Sequence, residues 1–214
     1  GSRDIPKEVL IDDLWPKASA AAGEKNFKIN FHRLRKALEP NVKKAFGYAY
    51  IVQKAGLVSL DPELVRLDVS EFLSFALKAQ ENEKNNHFET ALTFYEHAAD
   101  LYKGDYFSEE LYLEWISRKR DLLREKYIGV LQKKASLHEE MDQISKSVET
   151  WQRVLDLEPC SETAYQNLMI LYADSGQKTR AIKLFEECRM VLESELGVLP
   201  DTETCQIYDK IRSG

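Results

Sequence analysis

Phe27, Phe31, Leu34 and Leu38 recur at i, i+4, i+7 and i+11, which draws one apolar stripe along a helix. Lys25, Ile29, His32, Arg33 and Lys36 fall on the opposite side, with Asn26, Lys28 and Asn30 flanking them. The helix should end near Pro40, since proline drives the residue before it out of the helical region. Upstream, PKEVLIDDLW begins on a proline suited to a helix N-terminus, puts Val9, Leu10 and Leu14 on one side and stops at Pro16. Downstream, YAYIVQ and LVSL are short runs rich in aromatic and β-branched residues. KAG between them supplies a hairpin tip, with Gly56 free to adopt positive φ.

From about residue 69 the pattern is helical throughout and repeats itself. Ala91, Tyr95 and Ala98 stand at i, i+4 and i+7; Ser147, Trp151 and Val154 repeat the spacing, and Ala181, Phe185 and Cys188 repeat it again. The last two sets are 34 residues apart, the tetratricopeptide period, in which small and large residues alternate so that helix pairs stack closely. Tyr165, Leu168 and Tyr172 occupy the matching positions of the preceding helix. The first two sets are 56 apart, which predicts an extra helix near 109–121. The fold expected is mainly α: a partial winged helix-turn-helix with a β-hairpin wing over residues 3–68, then a tetratricopeptide-like helical-repeat domain over 69–213.

Composition fits one or two compact domains: 214 residues, 43% hydrophobic, with only 9 Gly and 6 Pro. Gly1-Ser2 reads as an expression scar. No apolar run approaches the roughly 18 residues a membrane span needs. Three cysteines without C-x-x-C spacing, Cys160, Cys188 and Cys205, favour a reduced, cytoplasmic chain over a disulfide scaffold or a zinc site, each acting as a small buried residue.

Charge changes the picture. The net charge of −6 is a sum of opposites: residues 25–54 hold eight Lys/Arg against Glu39 alone, a local +7 that leaves −13 for the rest. Segregation of this kind points to an anion-binding surface on an acidic body, with a plain solvated helix face as the alternative. Arg and Asn on an exposed helix face can bond guanine and adenine edges bidentately, and lysines bring charge to phosphates. Lys43 and Lys44 follow the helix and suit backbone contacts, and Gln53 and Lys54 at the hairpin can reach the adjoining groove. Ile29 is apolar where the helix should be wet; it either packs on a neighbouring segment or meets a thymine methyl.

Enzymatic readings find no support. The four histidines are scattered, and no Gly-rich phosphate loop, H-E-x-x-H or nucleophile elbow occurs. Adjacent acids such as Asp12-Asp13 and Glu186-Glu187 diverge by about 100° on a helix and read as solvated surface. Tyr102, Tyr106, Phe107, Tyr112 and Trp115 form an aromatic cluster that reads as core between helix pairs rather than a ligand pocket. No catalytic residue, cofactor or metal is expected.

INFHRLRKALEP resembles the recognition-helix segment of OmpR/PhoB-type winged-helix regulators. VLIDDLWP, RLDVSEF, AADLYKGDYF, EWISRKRDLLREKY, NLMILYADSGQKTRAIKLFEECRMVLESELGVLP and TETCQIYDKI are similar to the Streptomyces antibiotic regulatory protein family and its bacterial transcriptional activator domain. The resemblance covers nearly the whole chain. It implies a DNA-binding transcriptional regulator with Arg33 as base reader and Asn30, His32 and Arg35 at DNA or phosphates. The full candidate set is Lys25, Lys28, Ile29, Asn30, His32, Arg33, Arg35, Lys36, Lys43, Lys44 and Lys54. The expected partners are double-stranded DNA in the full-length protein and a protein partner or upstream sensor domain on the helical repeats; no membrane is expected, and a homodimer stays open. The family's winged helix opens with a sheet and a helix that have no counterpart before RDIPKE, so the chain reads as an N-terminally truncated fragment with Phe27, Phe31 and Leu34 short of cover. The alternative is an interaction scaffold whose winged-helix remnant no longer binds DNA.

Overall fold

The structure, a computed structural model, describes residues 4–41, 50–109 and 114–213. It divides into two units, one running to Ser70 and the other starting at Glu71.

The first unit holds β1 (Ile5–Pro6), α1 (Lys7–Leu14), α2 (Ala20–Leu38), β2 (Ile51–Lys54) and β3 (Leu57–Leu60). Pro6 caps α1, and α2 begins at Ser19, whose hydroxyl accepts from the Ala22 amide. Ala55 and Gly56 both take positive φ, 51° and 81°, the requirement of a tight two-residue turn between twisted strands. The short run Ile5–Pro6 was not foreseen as a strand. It pairs antiparallel with β3, Ile5 opposite Val58, and completes a sheet in the order β1-β3-β2. The Lys7 amide bonds the Gly56 carbonyl at 2.9 Å, which ties the start of α1 to the hairpin tip.

Phe27, Ile51 and Val58 are buried at the centre of this unit, and Leu10, Ile11, Trp15, Phe31 and Leu60 pack against them. Two expectations about the apolar faces change. α1 turns Leu10 and Ile11 inward and leaves Val9 46% exposed, because α2 crosses it at Gly23, where an added Cβ would stand 2.6 Å from Ile11 Cγ2. The α2 stripe is core only at its N-terminal half: Leu34 and Leu38 remain 47% and 45% exposed. Tyr48 and Ala49, expected at the start of the first hairpin strand, lie outside the described residues.

The second unit is a run of helices: α3 (Asp68–Lys84, entering from the end of the first unit), α4 (Phe88–Leu101), α5 (Glu114–Glu140), α6 (Ile144–Leu157), α7 (Glu162–Asp174), α8 (Lys178–Leu196) and α9 (Thr202–Ser213). The pairs α3–α4, α5–α6 and α7–α8 are closed by the same turn. Asn86, Asp142 and Gly176 each sit at positive φ. The following amide reaches back five residues: His87 to Asn82, Gln143 to His138, Gln177 to Tyr172. This satisfies the free carbonyls of the first helix in each pair. All nine residues of the three small–large sets are buried, from Ala91 at 0% to Phe185 at 8%, and α9 packs on α7 and α8.

The fold is therefore mainly α, a partial winged helix-turn-helix with a hairpin wing followed by tetratricopeptide-like repeats. Among the described residues, no extra helix fills the 56-residue interval. Residues 114–121 are the first turns of α5, whose 27 residues lengthen the first helix of the middle pair. The aromatic cluster is only partly core. Tyr102 stacks on Tyr127 at 4.0 Å and Tyr106 meets Phe107 edge-on, but Phe107 and Trp115 are 48% and 41% exposed; Tyr112 is outside the described residues. Cys188 is fully buried, and burial pushes its thiol up to about 12; Cys160 and Cys205 are half-buried. No described helix is long and apolar enough to cross a membrane.

Candidate nucleic-acid interface

Helix α2 carries the basic face, and the hairpin stands beside it. Lys25, Lys28, Ile29, Asn30, His32, Arg33 and Lys36 are all exposed. Ile29, at 41% exposure, has its apolar surface on the wet arc. Asn30 donates to the Asn26 carbonyl one turn back at 2.9 Å, which leaves its side-chain carbonyl outward. Lys54 and Gln53 are exposed on the last two residues of β2. Lys43 and Lys44 lie outside the described residues.

Arg35 behaves differently from its neighbours. Its Nε and Nη2 donate to the Ile51 carbonyl at 3.1 and 2.8 Å, and its guanidinium lies 4.2 Å from the Phe31 ring centroid. Two bonds from one rigid fork plus a stacked aromatic face hold β2 at a fixed angle to α2. The side chain placed at phosphates on sequence grounds thus bonds the wing.

Around this pin, Lys28 and His32 of α2 and Gln53 of β2 open onto one small cleft of about 240 Å³. Lys7 and Glu24 border it as an ion pair at 2.6 Å. The hydrogen bond to Glu24 raises the Lys7 pKa, and the same bond lowers that of Glu24. Lys7 was not among the sequence candidates: it lies before the charged segment, and only its approach to Glu24 brings it to the face. Among the described residues no group of His, Cys, Asp and Glu could hold a metal ion.

Behind the basic face, Leu14, Trp15, Phe31, Leu34, Leu60 and Leu67 line an apolar groove of about 690 Å³, with Arg33 and Asn30 at its rim. Arg33 therefore stands where the basic arc meets the uncovered half of the stripe.

A family described as the bacterial transcriptional activator domain matches residues 67–212. No curated protein sequence matches the chain. Among solved structures, EmbR of Mycobacterium tuberculosis, determined in complex with a low-affinity phosphopeptide, is similar over 99% of this chain and 55% of its own, with a TM-score of 0.77 at 16% identity. This chain thus spans about half the length of EmbR. The C-terminal tetratricopeptide-containing domain of a Plasmodium falciparum FK506-binding protein is similar over 68% of this chain and 89% of its own, with a TM-score of 0.50 at 15% identity. Likeness at these identities is likeness of fold.

Proposed function

Because this chain belongs to the bacterial transcriptional activator domain family, we propose that it is part of a cytoplasmic, DNA-binding transcriptional regulator. In this reading residues 3–68 are the C-terminal part of a winged-helix domain and 69–213 the activator domain. The observation that carries it is the exposed basic arc of α2 set beside an exposed hairpin end. α2 enters the major groove with Arg33, Asn30 and His32 at bases or phosphates and Ile29 against a thymine methyl. Lys25, Lys28, Lys36, Lys43, Lys44 and Lys54 meet the backbone, where charge gives affinity without sequence. Arg35 serves the same surface by fixing the wing. In the full-length protein an upstream segment lies over the apolar groove, and the helical repeats contact a protein partner or a sensor domain.

Fluorescence anisotropy on duplex DNA tests this with the chain and an upstream-extended form at two salt concentrations. The extended form should bind with strong salt dependence. On operator DNA, Arg33→Ala should lose about 1–3 kcal/mol of specific binding, while Lys28→Ala should weaken all sequences alike and lower the salt slope by about 1. Absence of salt-dependent binding by the extended form would favour a scaffold that keeps the winged-helix remnant as an interface.

A further inference from the structure

Among the described residues that line the small cleft of the first unit, Glu24 is the one carboxylate, and Lys7, Lys28 and Arg35 are the cations. At 100° per residue, Glu24, Arg35 and Lys28 fall within about 40° of one another on one flank of α2. Glu24 stands about 140° from Ile29, the middle of the wet arc. With Ile29 and Arg33 turned to base edges, Glu24 lies too far round the helix to read a base and stands on the side of the sugar-phosphate strand. A carboxylate in that place repels the phosphates that the lysines attract.

Glu24 is engaged in the free protein. Its Oε1 holds Lys7 Nζ at 2.6 Å, and Lys28 follows one turn on, at i+4, the favourable order for such a pair. The hydrogen bond from Lys7 lowers the Glu24 pKa against partial desolvation, and the charges of Lys7 and Lys28 add to it. The group is therefore ionised at neutral pH. Lys7 is fixed at its root as well, because its amide bonds the Gly56 carbonyl at 2.9 Å. Its side chain is 20% exposed. Glu8 also approaches it, at 3.8 Å, but that side chain is 69% exposed. Ion pairs near the surface add little to stability, so holding α1 to α2 is a weak reason for an acid on a phosphate-facing flank.

We propose that Glu24 is a built-in competitor of the DNA backbone: its carboxylate occupies Lys7 in place of a phosphate oxygen, and a phosphate entering the cleft has to displace it. The displaced carboxylate recovers a cation from solution, which offsets one of the cations released by DNA. Glu24 thus lowers affinity for every duplex and flattens the salt dependence. The proposal rests on the reading that α2 and the hairpin bind DNA, and names the residue that restrains the sequence-independent part of that binding.

The test is anisotropy of the full-length protein on a random-sequence duplex across a salt series. Glu24→Gln keeps a carbonyl oxygen that accepts from Lys7 Nζ, has a similar helix propensity and removes only the charge. It should tighten binding severalfold at low salt and steepen the fall of log K with log salt by about 0.9, one counterion. Glu8→Gln removes the same charge from the other neighbour of Lys7 and, being well screened, should change affinity about twofold or less. In a Lys7→Gln background the gain from Glu24→Gln should shrink to the Glu8→Gln level, a coupling that general repulsion does not produce. Parent-like binding by Glu24→Gln, equal gains from Glu8→Gln and Glu24→Gln, or an equal gain with and without Lys7 would overturn the proposal and leave the DNA reading standing. No salt-dependent binding by the parent would overturn both.

Discussion

Phe27 and Leu168 each sit on the apolar stripe of a helix, but their neighbours fare differently. One and two helix turns past Phe31, Leu34 and Leu38 stay nearly half exposed, and Leu14 of α1 is 46% exposed. Around Leu168, itself at 0%, Met169 is at 0% and Trp151 at 2%. In the repeats, α5–α6 and α7–α8 supply each other's cover and α9 closes the end, so the stacked array completes its own core. Among its described residues the first unit has one sheet and two helices, and their buried apolar set is Phe27, Ile51 and Val58. A unit of that size is marginal without help from outside. One region closes its core through repetition; the other leaves Leu14, Leu34 and Leu38 of its apolar faces open.

The largest test of that contrast compares two leucines. Leu168→Ala should cost about 2–5 kcal/mol in urea unfolding, the usual loss at a filled core site. Leu34→Ala should cost about 0.5 kcal/mol or less, as a surface change, and in the upstream-extended protein its cost should climb toward the core value. Equal costs in the present chain would break the comparison. A smaller effect comes from Gly23→Ala. The new Cβ meets the stiff β-branched Ile11, and overpacking of about 1–3 kcal/mol outweighs roughly 1 kcal/mol gained in helix propensity. Hydrogen exchange should quicken in α1 and α2 and stay unchanged from α5 to α8.

The smallest effect concerns pH and belongs to the helical unit alone. His138 is 1% exposed, and burial lowers its pKa, opposed by the hydrogen bond with Gln143 and the Glu96 carboxylate and assisted by Lys134 and Lys146. The unfolded chain therefore binds the proton more readily. Stability from keeping His138 neutral is fully present above its ordinary value of 6.5 and is lost as pH falls through the lower folded value. Denaturation midpoints at pH 7.5 and 5 should differ less in His138→Gln than in the parent, and α2 exchange should not register the substitution.

The repeats were legible because each small–large set must be buried and their spacing is fixed by stacking; Ser147, Trp151 and Val154 announced themselves by recurring 34 residues on. The hairpin was legible through Gly56. Period counting could not tell an inserted helix from a lengthened one, so the first turns of α5 read as a separate element. β1 is two residues long and half proline, below any pattern threshold, and exists only because β3 has an edge to offer. The exposure of Val9 depended on where α2 crosses α1, which Gly23 decides from outside that helix. Arg35 was legible as a cation and illegible as a pin. Its partner is the backbone carbonyl of Ile51, and a carbonyl looks the same in every residue.

That pin has a consequence for anyone mapping the basic face by substitution. Arg33 and Arg35 are two residues apart, carry the same charge and would be grouped together in an alanine scan, yet Arg33 stands exposed while Arg35 is a hinge bolt on the Ile51 carbonyl. Loss of affinity on removing the bolt would report a wing that has swung away from the helix, so sensitivity to change at position 35 does not measure contact with a ligand. The geometry between α2 and β2, followed through the Ile51 carbonyl, has to be recorded alongside affinity before any footprint is drawn.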